Sequence, residues 1–508
     1  VRHSIPTDCI AWLASCEIAR ADALTLPGPS FAAIVTLGTI AIAGLFMAFL
    51  QQRRAAAALA RARFFEHHEV MTGLFNRPHF LDVLRGAMTR RRPHEHIAVF
   101  AIDLEGVRDV NDLLGNAAGD TIIRLTARAL ERVSGSNAIV ARLSGDNFAV
   151  ARLGLRNVQD AASFAATLLE AISQPQRLNG HEVMLSARIG VALAPGDSEE
   201  AAHLLKAAGL ALDRACLGTG SGFTLFEKSF ERALQERREL EVKIRETLEK
   251  GGFDLHFQPL FRAGSNRLAG FEALLRMPDG QGGFIPPVKF IPVAEEMGLI
   301  VEIGDWVLRR ACMLAAHWPD HLSIAVNLSP AQFSAGHMSR RVRDALGESG
   351  LRADRLELEI TEGLILKDDA SILGELRTLK ALGVAIVLDD FGTGYSSLSY
   401  LWKFPFDKIK IDRSFTDALD GEDRQVVEVL QAIMSLGRSL RLRITAEGVE
   451  TGAQASFLKS LGCDEVQGYY FGRPMPVDQV ALTILADAAR ALSDATASAP
   501  AARLAAAG

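Results

Sequence analysis

Between residues 251 and 485 the chain alternates short apolar runs with stretches in which apolar residues recur every three or four positions. The first pattern predicts buried strands and the second amphipathic helices, so this block is expected to be α/β, strand and helix in turn. Several runs end in acids or amides: GFEALLR (270–276), IAVNLS (324–329), LELEITE (356–362), AIVLDDF (385–391), KIKID (408–412), RITAEGVE (443–450) and DEVQGYYF (464–471). Polar groups at the C-terminal ends of successive strands are the layout of a TIM-type barrel's active face. Residues 67–226 also read as α/β, with HIAVFAIDLEG (96–106) as a buried strand, NAIVARLSGDNFAVAR (137–152) as a hairpin and MLSARIGVALAP (184–195) as a further strand. Between the blocks, at 227–250, Leu240, Ile244 and Leu248 recur every four residues among i,i+4 charge pairs, which predicts a connecting helix. The segment 486–508 is rich in Ala and Ser, and a frayed or disordered tail is expected from Ala488.

The run FAAIVTLGTIAIAGLFMAFL (31–50) carries no charge over its length. As a helix it spans roughly 30 Å, the thickness of a bilayer's hydrocarbon core, so it is a transmembrane candidate. A cleaved signal peptide and a buried core helix are the rival readings. Arg53, Arg54, Arg61 and Arg63 all precede the first downstream acid, Glu66. The positive-inside rule then leaves 1–30 outside, a helical stalk at 51–66 and both blocks in the cytoplasm, on a single pass through a bacterial inner membrane.

At 508 residues the chain has room for two or three domains with sizeable cores. A net charge of −6 gives no general attraction to DNA or RNA, so an anionic ligand must be held by local groups or metal. Cys9, Cys16, Cys216, Cys312 and Cys463 form no CxxC pair, which argues against a zinc site or a disulfide framework. Only Cys9 and Cys16, if exposed to an oxidising compartment, are placed to pair.

Strand alternation turns Leu356, Leu358 and Ile360 one way and Glu357 and Glu359 the other, and it sets Lys408, Lys410 and Asp412 opposite Ile409 and Ile411. Burying so many acids without counter-charge is too costly for packing alone. Oxygens from Glu, Asn and Asp call for hard divalent cations, Mg²⁺ or Mn²⁺. In VLDDFGTGYSSL (387–398) the neighbours Asp389 and Asp390 can reach one site only if the chain turns, and Gly392 and Gly394 are expected to turn it. One acid can then bridge two metals while the other holds the second, which is how a water is activated against a phosphodiester. Lys410 and Arg276 would offset phosphate charge. Plainer roles are also expected: Asp412 pairing with Lys408 or Lys410, Glu450 solvated at a helix start, and His256 in the core or at the rim. Glu357 is either a site acid or a structural partner inside the barrel. Gly394 and Ser396 belong to a functional loop or to plain turn chemistry.

EALLR, NLS, ELEITE, DDFGTGYSSL, KID, AEGVE and QGYYFGRP in this order resemble the EAL domain, the family of cyclic di-GMP phosphodiesterases that open the cyclic dinucleotide to linear 5′-pGpG. The resemblance implies a modified (β/α)₈ barrel with one antiparallel strand and two Mg²⁺ or Mn²⁺ ions. It further implies that Glu272, Asn327, Glu359 and Asp389 bind one metal and Asp389 with Asp390 the other. Lys410 and Glu447 would position or deprotonate the water, and Glu362 would brace the loop after Asp390. Gln258 and Arg276 would contact substrate, and Gln467 would support the site from the last strand. A homodimer is also expected.

HHEVMTGLFNR, AIDLEGVRDVNDLLGNAAGD and ARLSGDNFAV resemble the GGDEF domain, the diguanylate cyclase family, with departures. The signature reads Ser144-Gly145-Asp146-Asn147-Phe148, Glu105 replaces an aspartate, Val107 and Arg108 replace Phe-Lys, and Asn116 replaces His. Asn cannot supply a carboxylate. Asp103 and Asp146 remain, as do Asn111 and Asp120 where the family holds guanine, so the expectation is a degenerate domain that binds GTP without joining it, or a spacer. The RxxD of feedback inhibition would fall at 135–138 and is absent. The favoured whole is a membrane-anchored phosphodiesterase. The alternatives are a cyclic di-GMP receptor without turnover and a bifunctional cyclase/phosphodiesterase.

Overall fold

Period-two alternation builds the first of two units, which divide the chain into Val1–Leu234 and Gln235–Gly508. The structure, a computed structural model, describes residues 29–504 apart from 179, 219–221, 366–369, 393–398 and 422–423. Strand His96–Glu105 is buried on both sides: Ala98, Phe100 and Ile102 enter one core and Ile97, Val99 and Ala101 the other, as a pleat requires. It lies mid-sheet in the order Ala138–Ser144, Asn147–Leu155, His96–Glu105, Ser186–Ala194, Gly222–Leu225. Helices Asn116–Ser134 and Val158–Ile172 bury their apolar stripes in one core, and Arg77–Thr89 and Ala201–Ala215 in the other. Gly190 lets the last of these lie against the sheet, because a Cβ there would come 2.0 Å from the Ala208 carbonyl oxygen.

The second unit closes on itself. Around the ring run Asp254–Arg262, Arg267–Pro278, Ser323–Leu328, Leu356–Thr361, Ala385–Phe391, Lys408–Ile411, Arg443–Ala446 and Glu465–Val466, and the last pairs back onto the first. Consecutive strands from Arg267–Pro278 to Glu465–Val466 are parallel. Asp254–Arg262 runs antiparallel to both neighbours, the reversed strand that the resemblance implies. Leu356, Leu358, Ile360, Ile409 and Ile411 lie in the apolar core shared with the surrounding helices, which leaves Glu357, Glu359, Lys408 and Lys410 to the barrel interior. Helix Lys228–Glu249 forms where the four-residue spacing predicts it, with Ile244 buried and Leu240 and Leu248 against the same core.

Two terminal segments add to the picture. Helix Val477–Leu504 continues through the segment expected to fray from Ala488. Alanine is the best helix former, and the buried Asp487 anchors the helix by taking Arg267 at 2.9 Å and the Leu268 amide at 3.1 Å. Helix Pro29–His67 covers the uncharged run and the stalk in one piece, and Leu37, Ile40, Leu45 and Phe46 are exposed on it. Among the described residues no helix is long and apolar enough to cross a membrane. Residues 1–28, with Cys9 and Cys16, and the side chains at 29–35 lie outside the described residues.

Candidate active site

Inward-pointing charges form two tiers inside the barrel. In the upper tier the Lys410 ammonium, 1% exposed on its side chain, lies 2.9 Å from Glu359, 2.6 Å from Glu447, and 3.5 Å from both Glu272 and Asp389. Glu272 accepts 2.6 Å hydrogen bonds from Asn327 Nδ2 and Gln467 Nε2. Gln467 Nε2 also donates to Gln258 Oε1 at 3.1 Å. Four carboxylates face one ammonium, so three negative charges are in excess when all are ionised. The lower tier holds Lys408 at 2.6 Å from Glu357 and 2.5 Å from Glu465, with Arg443 at 3.2 and 3.3 Å from the same two acids. Two cations meet two acids there, and the tier is balanced.

The charge excess marks the titrations above. Burial lifts Glu359 well above the ordinary carboxylate range, against the pull of Lys410 and with help from Glu272, Asp389 and Glu447. Burial likewise raises Asp389, and pushes Glu447 up to about 8 although Lys410 opposes it. Burial works against Glu272 too, yet Lys410 and the amides of Gln467 and Asn327 outweigh it and hold this acid below its usual value. Burial disfavours a charged Lys410, but the surrounding acids raise it well above its usual value.

The chain turns beside Asp389 and Asp390 as expected, but the turn begins at Asp390 itself, ahead of Gly392. The register slips between Leu388 and Phe391, and Asp390 itself adopts a left-handed conformation, φ 54°. A bulge turns two consecutive side chains from opposite faces toward one end of the strand, and such strain in a non-glycine residue is characteristic of functional sites. Gly392, at φ 97°, continues the turn. Gly394 and Ser396 lie outside the described residues, as does most of the loop that Glu362 was expected to brace. Glu362 is buried at the start of helix Glu362–Ile365.

The mouth opens into a cavity of about 250 Å³ lined by Gln258, Glu272, Asp389, Glu447, Gln467 and Tyr469. Arg276 and Asn327 line a second, more apolar cavity of about 260 Å³, which shares Leu274 with the first. Asp412 pairs with neither lysine; it caps helix Arg413–Asp417 by accepting from the Ser414 amide at 3.0 Å. Glu450 is tied to Arg413 at 2.9 Å. His256 packs edge-on against Phe284, 5.0 Å between rings, half-buried at the rim. Glu357 is a structural partner in the lower tier. Of the residues that sequence reading passed over, Thr445 and Glu465 stand two positions before the expected Glu447 and Gln467, and Arg443 four before Glu447, so the same alternation could have found them.

Among the described residues no three acids, histidines or cysteines form a ready-made cation cage. The donor set still fits hard cations. Three negative charges are in excess, and Glu359 Oε1 and Gln467 Oε1 are buried with no hydrogen-bond donor, oxygens that a cation would satisfy.

The EAL domain family profile matches residues 241–474, and the profile for the diguanylate cyclase, GGDEF domain matches 66–218. The bifunctional diguanylate cyclase/cyclic di-GMP phosphodiesterase MucR of Pseudomonas aeruginosa is 40% identical over 466 residues, 89% of this chain and 68% of that protein. The chain belongs to the tandem GGDEF–EAL family. An uncharacterized signaling protein of Caulobacter vibrioides is 42% identical over 85% of this chain and 53% of its own. The solved PaMucR phosphodiesterase in complex with c-di-GMP is 45% identical, covers 48% of this chain and 99% of its own, and has a TM-score of 0.46. The chain spans about half the length of the first curated relatives it matches.

In the GGDEF domain, Asp103 on the central strand stands in register with Asn147, which opens the facing strand. Burial, then Asp146 and Glu105, raise Asp103. Asn147 Nδ2 donates to Asp146 Oδ1 at 3.3 Å, and Glu105 is held by Arg188 at 3.0 Å and by Ser186 at 2.9 Å. The second acid of the signature is thus replaced by a donor that occupies the first. Asn111 lies over Gly119, beside Asp120, so closely that a Cβ on Gly119 would come 2.0 Å from Asn111 Oδ1.

Proposed function

We propose that the EAL domain hydrolyses cyclic di-GMP to linear 5′-pGpG with two Mg²⁺ or Mn²⁺ ions. The observation that carries this reading is the excess of three negative charges around Lys410, with the buried, donor-free Glu359 Oε1 among them. Glu272, Asn327, Glu359 and Asp389 would hold one ion, and Asp389 with Asp390 the other. The bound cations would supply a water of lowered pKa and offset charge on the phosphate. Glu447, raised to about 8 by burial and 2.6 Å from Lys410, would take the water's proton, a role worth about 10²–10⁴-fold. Lys410 holds that carboxyl in place and balances the incoming phosphate. Gln467 fixes Glu272 and Gln258 at once, and Arg276 borders the adjoining cavity. The test is turnover of cyclic di-GMP by the full chain and by its Asp389→Ala variant. Product is expected with Mg²⁺ and Mn²⁺, loss in the variant, and inhibition by Ca²⁺, whose longer and looser coordination misplaces the water. Binding of the dinucleotide without metal-dependent product would leave the receptor reading in its place.

The GGDEF domain, in this proposal, does not join GTP, because Asn147 supplies no charge and spends its amide on Asp146. Asn111 and Asp120 would still hold a guanine and let GTP tune the neighbouring domain. Purified chain incubated with GTP and Mg²⁺ should yield no cyclic di-GMP, and cyclisation would refute this. We also propose a single-pass anchor in a bacterial inner membrane, with both domains cytoplasmic, and a homodimer. The uncharged 31–50 run and the arginines that follow support the anchor. A reporter fused after Arg63 should read as cytoplasmic, and periplasmic activity would overturn the topology.

A further inference from the structure

A buried ion cluster is weak evidence of a purely stabilising role. Apolar side chains of similar size often replace one with no loss, because desolvating the charges costs so much. The members of the lower tier lie in register with the site above. Glu357, Lys408, Thr445 and Glu465 stand two residues before Glu359, Lys410, Glu447 and Gln467, which on a strand is one inward step of about 7 Å. The backbone ladder is thinnest here. Arg443–Ala446 meets Glu465–Val466 only at Thr445↔Glu465 and Ala446↔Val466, and Glu465–Val466 meets Asp254–Arg262 at two further positions. Lys408 adds a brace that the ladder lacks. It reaches Glu357 two strands away on one side and Glu465 two strands away on the other, and Thr445 Oγ1 donates to Glu465 at 3.2 Å.

We infer that Lys408 is a positioning residue for the active site. Its ion pairs across the barrel fix the spacing of the strands that present Glu359, Lys410, Glu447 and Gln467, and so the width of the seat for cations and phosphate. Its kinetic consequence rests on the phosphodiesterase reading; its structural consequence does not.

The test uses the full chain carrying Lys408→Met with Glu357→Gln, which removes one charge of each sign and leaves Arg443 paired with Glu465. The variant is expected to stay folded. Its Mn²⁺ affinity by calorimetry should fall about 10–100-fold, as is typical when support behind metal ligands is lost, and kcat should fall similarly with KM little changed. In metal-free protein, hydrogen exchange should quicken about tenfold at the amides of Glu447 and Gln467, which donate to Ile411 and Ala446. If the wild type neither binds Mn²⁺ nor turns over substrate, the phosphodiesterase reading fails and exchange still decides the role of Lys408. Unchanged exchange in the folded variant overturns the inference. Should the double variant not fold, Glu465→Gln removes the arm of Lys408 that reaches the Gln467 strand and leaves its pair with Glu357; faster exchange at Gln467 supports the brace, and wild-type exchange there refutes it.

Discussion

The two tiers of the EAL barrel use the same side chains to opposite ends. Each centres on a buried lysine of strand Lys408–Ile411 with glutamates from neighbouring strands, and apart from Arg443 and Glu447 their members are buried. The lower tier matches two cations to two acids, and Lys408 with Arg443 holds Glu465 below the usual carboxylate range in spite of its burial. The upper tier sets four acids around one ammonium and raises three of them. Charge balance therefore separates brace from site better than residue type or burial does. A closed ion cluster completes itself, whereas an open one must draw protons or cations from solution.

Removing each lysine should break the comparison most sharply. Lys410→Met leaves four acids without a counter-charge and should lower the unfolding free energy in EDTA by about 3–5 kcal/mol, the usual cost of an orphaned buried charge. Saturating Mg²⁺ should restore part of it, as any ligand of the folded state does. Urea unfolding with and without metal reads both, and an effect no larger than that of the paired Lys408→Met, Glu357→Gln exchange would erase the distinction between tiers.

Acidity provides a second contrast, of opposite sign in the two tiers. Glu359, Asp389 and Glu447 have folded values above the unfolded one, so their contribution is full below the ordinary carboxylate range and is lost as pH rises, through about 8 for Glu447. Glu465 is depressed, so its contribution is full above its ordinary value and is lost as pH falls. Metal-free protein should melt roughly 3–6 °C lower at pH 8.5 than at pH 6, on the order of 1.5 kcal/mol at this domain size. Mg²⁺ or Glu447→Gln should flatten that slope; a slope that survives both would place the titration elsewhere.

The smallest effect lies in the GGDEF domain, where Glu69 is closed in the manner of the lower tier. Burial opposes its charge, but the Met71 and Thr72 amides, the Thr72 hydroxyl and Arg142 bring the carboxyl down to about 2. Its contribution is present above the ordinary value near 4.5 and is lost as pH falls through about 2. Glu69→Gln should cost about 1 kcal/mol at pH 7, a cost that shrinks as pH falls toward 2, read as melting of the first domain, with cyclic di-GMP turnover unaltered.

Sequence patterning reached the barrel and the inward Glu359 and Lys410 because strand alternation and terminal acids carry those facts, while the reversed strand and the places of Glu272, Glu447 and Gln467 came from the resemblance to the EAL family. It missed what depends on pairing across the ring. Nothing local to Lys408 says that it meets Glu465 57 positions away, or that Asp412 turns outward to cap a helix. The turn at Asp390 escaped for another reason. Glycine was the expected bearer of positive φ, and here an aspartate takes it first. Alanine richness near the C-terminus suggested fraying, while a single buried acid, Asp487, held the helix in place.

Calorimetric titration of the metal-free full chain with Mn²⁺ at pH 7, in buffers of different ionisation enthalpy, addresses the upper tier most directly. An open cluster of raised acids should bind two ions and release protons as it does so. Asp389→Ala should abolish that binding, whereas Glu69→Gln should leave it intact. Binding without proton release, or no binding at all by the folded wild type, would contradict the view that the charge excess around Lys410 is a seat for catalytic cations.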